Sequence, residues 1–240
     1  MKRLFSTLAL LASPAASAAT LTFFEDFDST TAGDQPAFST VNEPSSTTVR
    51  VTTAESRSGP NSLFIEDSST ATNPNVFHTF GPDQYGQFTY SYDYLRGPSN
   101  GDITRTEFSS TLGGGKKLDF RLDGNRLHLK LNSQSDVATS DLFTNIAGAN
   151  WRADGWNNFT YIVNDLTDTV TANLNGVEIL SYTHSSAINW ESNRVQIHVG
   201  YSTLSPASGY FDNISFTAVP EPAGALLSSL AALSLLRRKR

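Results

Sequence analysis

The chain has 240 residues, with 17 Lys and Arg against 23 Asp and Glu, four His and no Cys. Without cysteine there is no disulfide to staple the fold, so stability has to come from a packed core or a bound metal. Six of the basic residues lie at the two ends, leaving 11 basic against 22 or 23 acidic residues between them. A balance this acidic excludes nucleic acid as a partner, because phosphate binding needs clustered Lys and Arg to displace counterions.

In chain order, Lys2-Arg3, the apolar run Leu4 to Leu11 and Ala16-Ser17-Ala18 have the charge, length and A-x-A site of an export signal. Residues 1–19 are therefore read as a signal peptide, with cleavage after Ala18 or Ala19. Residues 20–218 form one domain, and its apolar residues recur with a period close to two. Phe23 to Phe27 opens it, and the Ser/Thr-rich stretches Ser39 to Thr53 and Glu66 to Thr72 read as strand edges and loops. Phe88, Tyr90, Tyr92 and Tyr94 then make one stripe, read as core, with a sugar-stacking row as the alternative.

Leu118, Phe120 and Leu122 are followed by Asp123-Gly124-Asn125 and then by Leu127, Leu129 and Leu131, a hairpin whose Asp-Gly supplies positive φ. Phe159, Tyr161 and Val163 precede a second hairpin, Val170 to Leu174, Asn175-Gly176, Val177 to Ile179. Val195 to Val199 and Tyr210 to Phe216 close the domain. No helical period is sustained between the two ends. Short strands with regularly spaced turn signals predict an all-β, two-sheet antiparallel sandwich.

Residues 219–240 combine Pro220-Glu221-Pro222, an apolar run from Ala223 to Leu236 and the cluster Arg237-Arg238-Lys239-Arg240. The apolar run of about 14 residues makes a helix of roughly 21 Å, short for a hydrocarbon core of ~30 Å. The basic cluster is retained on the cytoplasmic side. This tripartite tail resembles the PEP-CTERM sorting signal. The resemblance implies a short C-terminal transmembrane helix that anchors the chain transiently in the inner membrane, processing by an exosortase-type peptidase, and a final place at the cell surface or in the extracellular matrix.

Trp156 to Val163 and Thr169 to Val177, together with Phe23 to Phe27 and Gly209 to Ile214, are similar to concanavalin A-like and laminin G-like jelly rolls. That superfamily holds lectins, glycosidases, polysaccharide lyases and adhesion modules, and the fold does not choose among them. The Glu-x-Asp-x-x-Glu strand of laminarinase-type glycosidases, which sets two carboxylates side by side, is absent. Arg105-Thr106-Glu107, Gln196-Ile197-His198 and Tyr201 resemble the strands that alginate-lyase-type jelly rolls use. Their implied roles are neutralisation of a uronate by Arg105 and proton movement by His198 or Tyr201. Two features depart from the pattern: Gln196-Ile197-His198 follows the Asn-Gly hairpin instead of preceding it, and no Lys-Ala-Gly accompanies Tyr201.

Six of the 11 internal basic residues lie between Arg105 and Lys130. Strand alternation places Arg105, Arg121, Arg126, His128 and Lys130 as candidates for one positive face toward an extracellular polysaccharide. Cross-strand charge pairs involving Asp119 are the alternative. The four His show no metal-ligand spacing. Resemblance to calcium-binding jelly rolls instead implies a structural Ca²⁺ held by Asp212 with Glu25 or Asp26, the alternative being Asp212 as a turn cap. The function expected is a non-catalytic surface module that binds or organises polysaccharide, or else a polysaccharide lyase. Deleting Arg237 to Arg240 is expected to change the protein's final location on cell fractionation. Recovery of the intact chain from the cytosol contradicts the sorting assignment.

Overall fold

Alternation of apolar and polar side chains builds nearly every strand in the computed structural model of the chain, which describes residues 20–68, 73–80, 85–100, 104–109, 117–123, 126–131, 136–141, 149–185, 190–200 and 206–218. These belong to a compact unit, Thr20–Pro220. The signal peptide, the sorting tail and Tyr201 lie outside the described residues. Among the described residues no helix is long and apolar enough to cross a membrane.

The strands run β1 (Leu21–Glu25), β2 (Thr40–Asn42), β3 (Thr47–Thr52), β4 (Ser62–Asp67), β5 (Asn75–Thr79), β6 (Gln87–Asn100), β7 (Thr104–Ser109) and β8 (Leu118–Asp123). They continue with β9 (Arg126–Leu131), β10 (Asp136–Asp141), β11 (Asn157–Asn164), β12 (Thr169–Leu174), β13 (Val177–Thr183), β14 (Arg194–Val199) and β15 (Ala207–Ala218). An eight-stranded sheet has the order β13-β12-β11-β6-β15-β4-β3, with β1 also paired to β15. A seven-stranded sheet has the order β10-β9-β8-β7-β14-β5-β2. Every pairing is antiparallel, giving the expected all-β jelly-roll sandwich.

The inner faces meet in an aromatic core. Phe120 of one sheet lies 4.1 Å from Tyr161 of the other, centroid to centroid, and Phe108 lies 5.3 Å from Tyr90. The stripe Phe88, Tyr90, Tyr92 and Tyr94 is wholly buried, which removes the sugar-stacking alternative. Burying tyrosine requires a place for its hydroxyl. Thr106 of β7 donates to the Tyr92 hydroxyl at 3.0 Å, and Tyr92 and Tyr161 share a further bond of 3.0 Å, tying the two sheets together by hydrogen bonds as well as packing.

The second predicted hairpin is present, with Asn175 at φ 50° and Gly176 at φ 83°, the left-handed pair that a two-residue loop needs. The first is present as β8 paired to β9, its Gly124 and Asn125 lying outside the described residues. The Ser/Thr-rich stretches hold more order than their composition suggests. Ser39 to Thr53 contains the edge strands β2 and β3, and Val49 and Val51 point into the core. The chain's first and last strands pair, Phe23 opposite Phe216, with a one-residue bulge in β15 at Asn213, where φ is 50°.

Phe120→Ala is expected to cost about 3–5 kcal/mol in denaturant unfolding, as a large buried ring leaves a cavity. Tyr92→Phe, which breaks the inter-sheet hydroxyl chain but keeps the ring, is expected to cost about 1–3 kcal/mol.

Candidate functional site

The outer face of the seven-stranded sheet carries the sequence-derived candidates, and the strand register decides which of them meet. Residues directly opposite each other in an antiparallel pair project to the same face. One row runs Asn75, His198, Arg105, Arg121 and His128 across β5, β14, β7, β8 and β9. The next row runs Phe77, Gln196, Glu107, Asp119 and Lys130. Arg105, Gln196 and His198 are thus neighbours, although more than 90 residues separate the first from the other two in sequence. Arg126 lies on the same face at the hairpin end of β9, opposite Asp123.

Arg105 is held from two sides. Its Nε donates to Asp119 Oδ1 at 2.6 Å, and its Nη2 lies 3.1 Å from Glu107 Oε2. Lys117 Nζ reaches the same Glu107 oxygen at 2.6 Å. The side chains of Glu107 and Asp119 are only 4% and 3% exposed, so these carboxylates depend on their cations. Arg121 Nη2 pairs with Asp123 at 3.2 Å. The charge-pair alternative is therefore part of the arrangement: Asp119 takes Arg105 as a partner, and the positive row is partly neutralised by the adjacent row.

His198 Nε2 lies 3.9 Å from Glu107 Oε2, beyond hydrogen-bonding reach, and has no hydrogen-bond partner among the described residues. Burial, reinforced by the positive charges of Arg105, Lys117 and Arg194, lowers its pKa to about 3. The imidazole is therefore neutral at physiological pH. Beside it, Gln196 donates its amide to Asn75 Oδ1 at 2.8 Å. Arg194 covers the Phe77 ring at 5.1 Å and donates to Ser109 Oγ at 3.1 Å.

The acidic residues expected around calcium are satisfied separately. Asp212 Oδ2 accepts the backbone N–H groups of Arg57 and Ser58 at 2.8 and 3.0 Å, and its Oδ1 accepts that of Asn213 at 2.7 Å. Burial nonetheless raises its pKa, with Asp93 directly opposite adding to the effect. Glu25 Oε1 accepts from Phe27 N at 2.8 Å, and Asp26 Oδ1 from Asp28 N at 3.2 Å. Among the described residues no three His, Asp or Glu side chains stand together as a metal site. Asp212 Oδ2 clamps the loop at Arg57 and Ser58, the kind of contact given as the alternative reading, while its Oδ1 accepts from the neighbouring Asn213.

Sequence reasoning missed β5. Asn75 and Phe77 complete both rows, and the alternation Asn75-Val76-Phe77 was the only local signal for them. Lys117 was recognised as charge, but its role as the second cation on Glu107 depends on the register of β7 and β8.

This fold and face define a jelly-roll sandwich with a polar, charge-bearing outer sheet. No family model matches the chain, and no curated protein does. Among solved structures, the cellulose-induced protein Cip1 is similar at 18% identity and a TM-score of 0.60, over 81% of this chain and 96% of that one. An endo-β-1,4-glucuronan lyase from the fungus Trichoderma reesei is similar at 15% identity and a TM-score of 0.56, over 84% and 98%. A sialidase is similar at 11% identity and a TM-score of 0.60, over 82% of this chain but 18% of its own length. At these identities the likeness is one of fold.

The low pKa of His198 has a thermodynamic consequence. An unfolded histidine binds a proton near pH 6.5, whereas His198 in the fold does not until about pH 3. The unfolded state therefore holds more protons between these values, and stability present above pH 6.5 is lost as pH falls toward 3. His198→Gln is expected to flatten this loss when unfolding free energies are compared from pH 7 to pH 4. Parallel curves for the two proteins contradict the assignment.

Proposed function

We propose that the chain is an exported module that binds an anionic polysaccharide across the outer face of its seven-stranded sheet. The observation that carries this reading is the row His198, Arg105, Arg121 and His128 on four adjacent strands. Strands lie ~4.8 Å apart, so the row offers an imidazole or guanidinium at each strand step to a ligand lying across the sheet. The domain as a whole is acidic, so the row is a local reversal of sign that attracts an anion there and repels it elsewhere. Similarity of fold to a glucuronan lyase supports a uronate polymer as the ligand class. Export, processing by an exosortase-type peptidase and residence at the surface or in the matrix belong to the same reading and rest on residues 1–19 and 219–240.

A second reading, a polysaccharide lyase, is favoured by one observation: His198 Nε2 has no hydrogen-bond partner among the described residues and lies beside Arg105 and Gln196. In a β-elimination, His198 would take the proton from C5 of a uronate. The electron pair released would form the C4–C5 double bond as the C4–oxygen bond breaks, and the departing oxygen would need a proton donor. Tyr201 was the candidate for that donor.

Arg121→Ala and Lys130→Ala are each expected to weaken binding of a polyuronate by about tenfold at low salt, with smaller effects at high salt, and to leave a neutral glucan unaffected. Equal polyuronate affinity in both variants and the parent contradicts this face as the binding surface. Release of ultraviolet-absorbing unsaturated ends from the polyuronate, abolished in His198→Ala, selects the lyase. Binding without such release selects the module.

A further inference from the structure

The two sheets together have edges at β3, β13, β10, β2 and β1, and sheet proteins blunt such edges because unpaired backbone groups recruit other strands. Four of these edges carry a protective feature. Along β3, Val51 N donates to Asp34 O and Val51 O accepts from Gly33 N, both at 2.8 Å, while Val49 N donates to Glu43 Oε1 at 3.0 Å. β2 is only three residues long. β10 has an irregular register at Asp136 and acidic residues at both ends. β13 shifts register at Ile179 and presents an exposed Glu178.

β1 ends in Glu25 and has no other such feature. It pairs with β15 over five residues without a register shift, and its second edge has no backbone partner among the described residues. It lies end to end with β4 along one side of β15. β3 extends the sheet beyond β4, and among the described residues nothing extends it beyond β1. Its inward side chains fix it firmly: Phe23 stacks on His78 at 4.2 Å and meets Phe80 at 5.8 Å. Its outward side chains are Thr22, exposed, and Phe24, 61% exposed and among the described residues one of three exposed large hydrophobic side chains. An edge that is regular, uncharged along its middle and flanked by an exposed aromatic side chain suits strand addition.

We propose that the occupant of this edge is β1 of a second copy, paired antiparallel about a two-fold axis at Phe23, so that the eight-stranded sheets of two molecules become continuous. Self-pairing suits this sequence. In that register Thr22 faces the second copy's Phe24, and Glu25 faces its Leu21, so the two Glu25 carboxylates stand at opposite ends instead of facing each other. The inference is independent of what the seven-stranded sheet binds.

Sedimentation of the Thr20–Pro220 unit and of the exported, processed chain tests it. Both are expected to show a concentration-dependent monomer–dimer equilibrium. Thr22 and Phe24 face solvent, so substitutions there leave the core intact. The double variant Thr22→Lys/Phe24→Lys, which sets like charges opposite each other, is expected to weaken dimerisation by at least about tenfold. The double variant Thr22→Lys/Phe24→Glu, which sets opposite charges across the axis, is expected to restore it. A parent protein that stays monomeric, or two double variants that behave alike, overturns the proposal.

Discussion

The last strand, β15, shares backbone hydrogen bonds with β6 along one side and with β4 and then β1 along the other. The eight-stranded sheet is therefore assembled around a strand that begins at residue 207. Its apolar side chains fill the centre of the core, with Phe211, Ile214 and Phe216 all buried, and Phe216 stacks on Phe80 at 3.9 Å. Its bulge at Asn213 shifts the strand by one residue and leaves Asp212 to clamp the loop at Arg57 and Ser58. Through β6 and the Tyr92–Thr106 bond the same strand fixes where the seven-stranded sheet sits, and with it the outer face that carries His198 and Arg105.

On that outer face the ordering principle is the cost of burying charge. Two carboxylates, Glu107 and Asp119, are nearly closed off from water directly beside a row of cations. Removing either would leave Arg105 without one of its partners, and removing Arg105 would take this cation from the buried Asp119 and leave Glu107 to Lys117, an expensive change in a low-dielectric setting. The guanidinium is thereby held in one orientation. The same cations that balance the carboxylates suppress protonation of His198, so one set of interactions fixes both the geometry of the row and the protonation state of its imidazole.

Much of the fold was legible because the domain obeys a period of two. Tyr90, Tyr92 and Tyr94 could be read as core from alternation with Ser and Asp alone, and Asn175-Gly176 as a turn from its need for positive φ. The weak strands were hidden for the same reason. β3 and β5 alternate two or three apolar residues with Thr, Arg, Asn and His, too few to stand out, and their identity comes from neighbours far away in sequence. For the site, types and faces could be read but partners could not. Arg105, Gln196 and His198 stand in short motifs, whereas the choice of Arg105 for Asp119, and the clamping of the Arg57 loop by Asp212, follow from register and from loop paths that no local pattern encodes.

The position of β15 also governs how the domain folds. A chain emerging N-terminus first from the ribosome cannot complete the eight-stranded sheet until residues 207–218 are free, because β1, β4 and β6 all wait for the same partner. Hairpins such as β8–β9 and β12–β13 can form locally, but final closure joins residues almost 200 positions apart. Closure over such separations is slow, since the loop entropy is spent before the contacts form. The eight-stranded sheet is therefore incomplete through most of the chain's synthesis, which exposes β1 and β6 to mispairing if release of the C-terminal end is delayed.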